Sequence, residues 1–104
     1  MHKVLRVARN RGEARIWIER GTLLRAGIHA GDRFTFEVVG ERIVLDILGP
    51  DTGYPGRLRT VSGSADRPVI DICNRTVSAF MGDATHYRAT FEPGQVVITR
   101  EVVP

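Results

Sequence analysis

Apolar and polar residues alternate in several short stretches of the chain, which is the pattern of strands with one buried face. In the first half this pattern predicts strands at 3–8, 15–18, 33–39 and 42–47. A two-turn helix is predicted within 19–28, ended by Gly27 in a left-handed conformation. Gly40 and Glu41 are expected to form the hairpin turn between the last two strands. The predicted order is β-β-α-β-β.

The second half of the chain repeats the first. Its strands are predicted at 57–62, 68–72, 85–92 and 95–100, and its helix within 74–81. Residues align across the halves at offsets between 51 and 54, as in these pairs: Ile16 with Ile70, Ile18 with Ile72, Gly31-Asp32 with Gly82-Asp83, and Val44 with Val97. A repeat of about fifty residues indicates two copies of one supersecondary unit, each too small to bury a good core alone.

The sequence therefore predicts one domain, 1–104, which is mostly β with two short helices and contains two repeats at 3–47 and 57–101. Residues 48–56, with three Gly and two Pro, are the predicted linker. The predicted core consists of inward residues of the first repeat and their partners in the second: Leu5, Ile16, Ile18, Leu23, Phe34, Phe36, Ile43 and Leu45. Val38 is predicted to point inward as well. Cys73 lies inside an apolar run and is expected to be buried.

Charge is distributed unevenly along the chain. The formal net charge is +3, but residues 1–25 carry seven basic residues against two acidic ones, a net charge of +5. Fourteen of the 15 basic residues are arginine, which suits recognition of phosphate or carboxylate; a GC-rich genome would produce the same bias.

The single cysteine excludes an internal disulfide. Residues 1–10 lack the apolar core of a signal peptide and no run is long enough to span a membrane, so a cytoplasmic location is expected.

The sequence contains no motif of an enzyme. His2, His29 and His86 lie on different elements without Cys or carboxylate at metal-ligand spacing. The serines lack a nucleophile elbow, and the glycines form no phosphate-binding loop. We therefore expect no enzymatic activity, no catalytic residue, no metal and no cofactor.

The ordered residues of the first repeat resemble the AbrB-like swapped-hairpin family, which includes bacterial and archaeal transition-state regulators and related antitoxins. The family pattern is a basic strand, a Gly-Arg-containing loop, an apolar strand, a short helix ending in Leu-Gly-Ile, a Gly-Asp turn and a hairpin. The matching segments are 15–18 for the apolar strand, 26–28 for the helix end, 31–32 for the turn and 34–38 for the third strand. The resemblance covers about 45 residues of the first repeat and is weaker in the second, where Asp71 stands at the position of Trp17.

In that family two chains interleave their hairpins into one compact dimer that binds DNA. Because both units lie in one chain here, the resemblance implies a swapped-hairpin-like pseudo-dimeric barrel, as a monomer or a homodimer. It also implies a transcriptional regulator that binds double-stranded DNA. The family binds with its first strand, the following loop and the helix start, which by position selects Arg6, Arg9, Arg11, Arg15 and Arg20, and in the second repeat Arg57, Arg59 and Arg67.

A protein-interaction module, antitoxin-like or a phage-type accessory protein, is the alternative. Trp17 lies between the inward residues Ile16 and Ile18, so its indole is expected on the opposite face of the strand. On that face it either fills a second packing layer or anchors a partner protein.

Overall fold

The structure is a computed structural model that describes residues 1–101. Within this range the strands are β1 (His2–Arg6), β2 (Ala8–Asn10), β3 (Glu13–Glu19), β4 (Arg33–Phe34), β5 (Glu37–Val39), β6 (Arg42–Gly49), β7 (Arg59–Thr60), β8 (Ser62–Ser64), β9 (Arg67–Cys73), β10 (His86–Glu92) and β11 (Gln95–Glu101). The helices are α1 (Gly21–Arg25) and α2 (Arg75–Met81). The prediction of a mostly β chain with two short helices is confirmed.

The strands form two antiparallel sheets. Sheet A has the order β1-β10-β11-β6-β4-β7, with β5 also paired to β6, and sheet B has the order β2-β3-β9-β8. The predicted barrel is wrong, because both orders are open among the described residues. The outermost strands, β1 and β7 in sheet A and β2 and β8 in sheet B, do not pair with each other.

Each sheet contains strands from both halves of the chain. In sheet B, β3 pairs with β9, and Trp17 lies opposite Asp71. In sheet A, β6 pairs with β11, and Val44 lies opposite Val97. Both are pairs of residues that the repeat aligns. At the edges of sheet A, β1 pairs with β10 and β7 pairs with β4, so strands of one half extend the sheet of the other.

The inner faces of both sheets contribute to one hydrophobic core. Phe34 is 1% exposed within it, whereas Leu5 and Phe36 are only partly buried against it. Val38, which was predicted to point inward, is exposed. The predicted strand 33–39 is interrupted after Phe34, and its second part, β5, pairs only with β6, which leaves Val38 at an open edge.

The connections differ in two places from those predicted. Strand β6 continues to Gly49, so the linker between the halves runs from 50 to 58. The N–H groups of Val7 and Val61, which align at the offset of 54, donate to the carbonyls of Thr85 and Asp32 respectively, each at 2.8 Å. Asp32 therefore corresponds to Thr85, and the predicted match between the two Gly-Asp pairs is wrong. Neither helix within residues 1–101 has the apolar length that a bilayer crossing requires.

Replacing Phe34 by Ala should lower the free energy of unfolding by about 3–5 kcal/mol, because the buried ring leaves a cavity. Phe36→Ala should cost clearly less, since that ring is only partly buried against the core. Urea denaturation measures both changes. Equal losses for the two variants would contradict the placement of these rings.

Candidate nucleic-acid interface

One face of sheet B is turned away from the core. The residues of β3 on this face are Glu13, Arg15, Trp17 and Glu19, which alternate with buried Ala14, Ile16 and Ile18. The residues of β9 on the same face are Arg67, Val69, Asp71 and Cys73. Trp17 is 38% exposed at the centre of this face. Its predicted orientation, opposite to its two isoleucine neighbours, is confirmed.

Arg15, Trp17 and Asp71 form a compact group that we call the Trp17 cluster. Arg15 Nε donates to Oδ1 of Asp71 at 2.7 Å, and Arg15 Nη2 donates to Oδ2 at 2.8 Å. The guanidinium carbon of Arg15 lies 4.4 Å from the centroid of the Trp17 ring, a cation–π contact. The hydrogen bonds from Arg15 lower the pKa of Asp71, and the same bonds raise the pKa of Arg15. The guanidinium is thus held in place and its charge is balanced.

Exposed arginines lie at the two ends of sheet B. Arg11 occupies the turn between β2 and β3 at one end. Arg20 follows β3 at the other end, where its N–H donates to the carbonyl of Pro68 at 2.9 Å, beside Arg67. Because β3 has seven residues, the two ends are roughly 20 Å apart. Arg11 and Arg20 therefore lie at opposite ends of one strand, β3.

The backbone at Arg11 and Arg20 is unusual. Their φ angles are 54° and 51°, and they are the only non-glycine residues with positive φ among residues 1–101. Arg11 shares its two-residue turn with Gly12, whose φ is 82°. Neither arginine, nor Arg67, forms an ion pair within the described part of the chain.

Arg9 has a structural role. Its Nη2 donates to the carbonyl of Gly82 at 3.2 Å and to that of Ala84 at 3.5 Å. The guanidinium therefore binds two carbonyls of the segment that directly follows α2, near the helix C-terminus, where positive charge is favourable. The aligned residue of the second half is Gly63, where an added Cβ would lie 2.0 Å from the carbonyl oxygen of Arg67. The second half has no room for an equivalent arginine.

The other predicted arginines lie on sheet A or in the linker. Arg6 is exposed at the end of β1, opposite His86, at one edge of sheet A. Arg59 lies in β7 at the opposite edge, beyond four intervening strands, and Arg57 is exposed in the linker. The structure does not bring these three residues to the outer face of sheet B.

Two residues of this face were not foreseen. Asp71 was not predicted as the partner of Arg15, although the repeat aligns it with Trp17, which it faces across the pair of β3 and β9. Cys73 was predicted to be buried and is exposed. The reason is the strict alternation of β9, in which Ile70 and Ile72 take the inner positions and Cys73 the outer one.

A cleft of about 1050 Å³ lies elsewhere, between the turn joining β5 to β6 and the loop after α2. Its lining includes Arg42 and Arg100 beside Glu41, Asp83 and Glu101, so it has no excess of positive charge. None of the arginines predicted to bind DNA lines it.

Within residues 1–101 no group of three or more His, Cys, Asp or Glu side chains is placed to hold a metal ion. Neither a family model, nor a curated protein, nor a solved structure matches the chain. Its likeness to the AbrB-like family therefore stands on the residue pattern of the first repeat.

A buried tyrosine is hydrogen-bonded to the backbone of Trp17. Tyr87 of β10 has no exposed surface, the N–H of Trp17 donates to its hydroxyl at 3.3 Å, and the hydroxyl donates to the carbonyl of Trp17 at 3.4 Å. Burial raises the pKa of Tyr87 to about 12, against a smaller lowering by the hydrogen bond to Trp17. The folded chain therefore favours the neutral phenol, and this contribution to stability is complete below the ordinary tyrosine pKa.

Stability should fall at high pH because of Tyr87. Between about pH 8 and 11.5 the free energy of unfolding should drop by about 2 kcal/mol, since the unfolded tyrosine ionises at lower pH than the folded one. Urea denaturation at both pH values measures the drop. Tyr87→Phe should remove it, whereas Tyr54→Phe, at an exposed linker position, should leave it unchanged. The same drop in Tyr87→Phe would contradict the assignment.

Proposed function

We propose that the chain is a DNA-binding protein, a transcriptional regulator of the AbrB-like type, which binds duplex DNA with the outer face of sheet B. Arg11, Arg20 and Arg67 contact phosphates at the two ends of the sheet, and the Trp17 cluster faces the bases. The observation that carries this proposal is the left-handed backbone at Arg11 and Arg20.

Left-handed backbone costs about 1–2 kcal/mol for residues other than glycine. Arg11 is the first residue of a turn in which both φ angles are positive, a position that Asn, Asp and Gly prefer. Arg20, with φ 51° and ψ −120°, lies in a region that glycine adopts easily. Strained residues concentrate at functional sites, because a purely structural role would favour the relaxed residue. Two exposed arginines at strained positions support an anion-binding role.

The central strands of sheet B, β3 and β9, form the part of the sheet that meets a groove of duplex DNA in this proposal. The major groove is about 12 Å wide and admits a two-stranded β-ribbon, such as β3 paired with β9. Arginines at ends roughly 20 Å apart then lie at two positions along the groove, where each reaches a phosphate that borders it. Phosphate contacts of this kind supply affinity and fix the orientation of the protein on the duplex.

The strand pairing supports the swapped-hairpin arrangement that the resemblance implies. The first strand of each repeat, β1 or β7, pairs with the hairpin of the other repeat. The central pairs, Trp17 with Asp71 and Val44 with Val97, are those that an approximate two-fold axis requires. We propose that the two repeats form a covalent pseudo-dimer. The chain then folds as a monomer, because the linker makes the association of the repeats intramolecular.

Protein interaction is the second candidate, and the exposure of Trp17 favours it. Trp and Arg are enriched among the residues that dominate protein interfaces, and Trp17 and Arg15 lie together on an uncovered sheet face. Salt distinguishes the two candidates. Affinity for DNA falls steeply as salt rises, whereas binding of a protein through a charge-balanced cluster depends little on salt.

Arg11→Gly and Arg20→Gly should each weaken binding to a random duplex without loss of stability. Each variant loses about one phosphate contact, so the slope of log affinity against log salt should become shallower by about 0.9. The free energy of unfolding should be unchanged or higher by up to about 1 kcal/mol, because glycine relieves the left-handed backbone. Fluorescence anisotropy with a labelled duplex measures the slope, and urea denaturation measures the stability.

Arg42→Ala is the charge-matched control, since it removes an exposed arginine from sheet A. It should leave the salt slope unchanged. A parent chain that fails to bind duplex DNA at about 50 mM salt would contradict DNA binding itself. Equal changes of slope in Arg42→Ala and Arg11→Gly would contradict the choice of this face.

A further inference from the structure

Arg15 keeps hydrogen-bonding capacity that Asp71 does not use. A guanidinium has five N–H donors, and Asp71 accepts two of them, one from Nε and one from Nη2. The remaining donors are on Nη1 and on the far side of Nη2, at the end of the side chain. Two parallel N–H groups at this end match O6 and N7 of guanine, which lie together in the major groove.

We infer that Arg15 reads a guanine base and that Asp71 is its positioning residue, an inference that rests on the proposed DNA-binding function. Asp71 holds the guanidinium along one edge, and Trp17 supports one of its faces at 4.4 Å. The orientation is therefore set before DNA binds. The side chains of Arg15 and Asp71 are 30% and 35% exposed, so a ligand can reach the pair from solvent.

The carboxylate of Asp71 directs Arg15 to bases rather than to phosphates. The ion pair carries no net charge, and the Asp71 carboxylate repels a phosphate that approaches it. Arg11 and Arg20 have no such partner among the described residues. Arg15 therefore supplies sequence preference, while the exposed arginines supply salt-dependent affinity.

The chain contains this arrangement, an arginine positioned by an aspartate on the outer face of sheet B, once among the described residues. At the offset of 54 the residue aligned with Arg15 is Val69, which lies on the same outer face and has no side-chain donor. The preferred DNA site should therefore contain one guanine contacted from this face, rather than a symmetric pair, even though strands of the two halves pair across both sheets.

Selection from a random duplex library, followed by sequencing, tests this inference on the parent chain and its variants. In the parent, one position should prefer guanine by roughly 5- to 150-fold. Arg15→Lys keeps the charge but loses the planar fork, so the preference should disappear while the salt slope stays the same. Asp71→Asn should weaken the preference and free Arg15 for phosphate, which steepens the slope by about 0.9. Arg11→Gly is the control. It should make the salt slope shallower and leave the guanine preference unchanged.

Urea unfolding identifies any variant that has lost the fold, and Arg15→Lys should retain it because the change is on an exposed face. Absence of duplex binding by the parent would overturn the proposed function and this inference together. Binding by the parent without a guanine preference, or a preference that survives in Arg15→Lys, would overturn this inference alone. Phosphate binding by Arg11 and Arg20 would then still stand.

Discussion

The pairing of β3 with β9 is the interaction on which the rest of the structure depends. It joins strands from different halves of the chain and places Ile16 opposite Ile72 and Ile18 opposite Ile70, with all four side chains buried. Each such side chain contributes about 1.5–3 kcal/mol when it is fully buried. Either half alone would leave this apolar face open to water, so the two halves must fold together.

The same pairing creates the proposed binding face. Side chains alternate along a strand, so the register that buries Ile16 and Ile18 also turns Trp17 outward and brings Arg15 to Asp71. A shift of one residue would exchange the two faces of the strand. The core and the Trp17 cluster both follow from this one register.

Local patterns were sufficient where the determinants are local. Strict alternation predicted β9, β10 and β11 closely, and α2 begins after Asn74, whose side chain accepts a hydrogen bond from the N–H of Val77. The break in the strand after Phe34 was not predictable, because it depends on pairing with β6 and β7. The eight arginines were assigned by repeat, but the folded chain distributes them over both sheets, the two ends of β3 and the linker. The contact between Arg15 and Asp71 depends on the register between distant strands, which the local pattern does not contain.

The most direct test of sheet B as the DNA-binding face is an NMR titration of the labelled chain with a random duplex, followed through its backbone amides. We expect the amide shifts to change at Arg11, along 15–20 and along 67–73, while the outer face of sheet A around Val44 and Val97 stays unchanged. Changes centred on Val44 and Val97, with none near Trp17, would contradict this assignment.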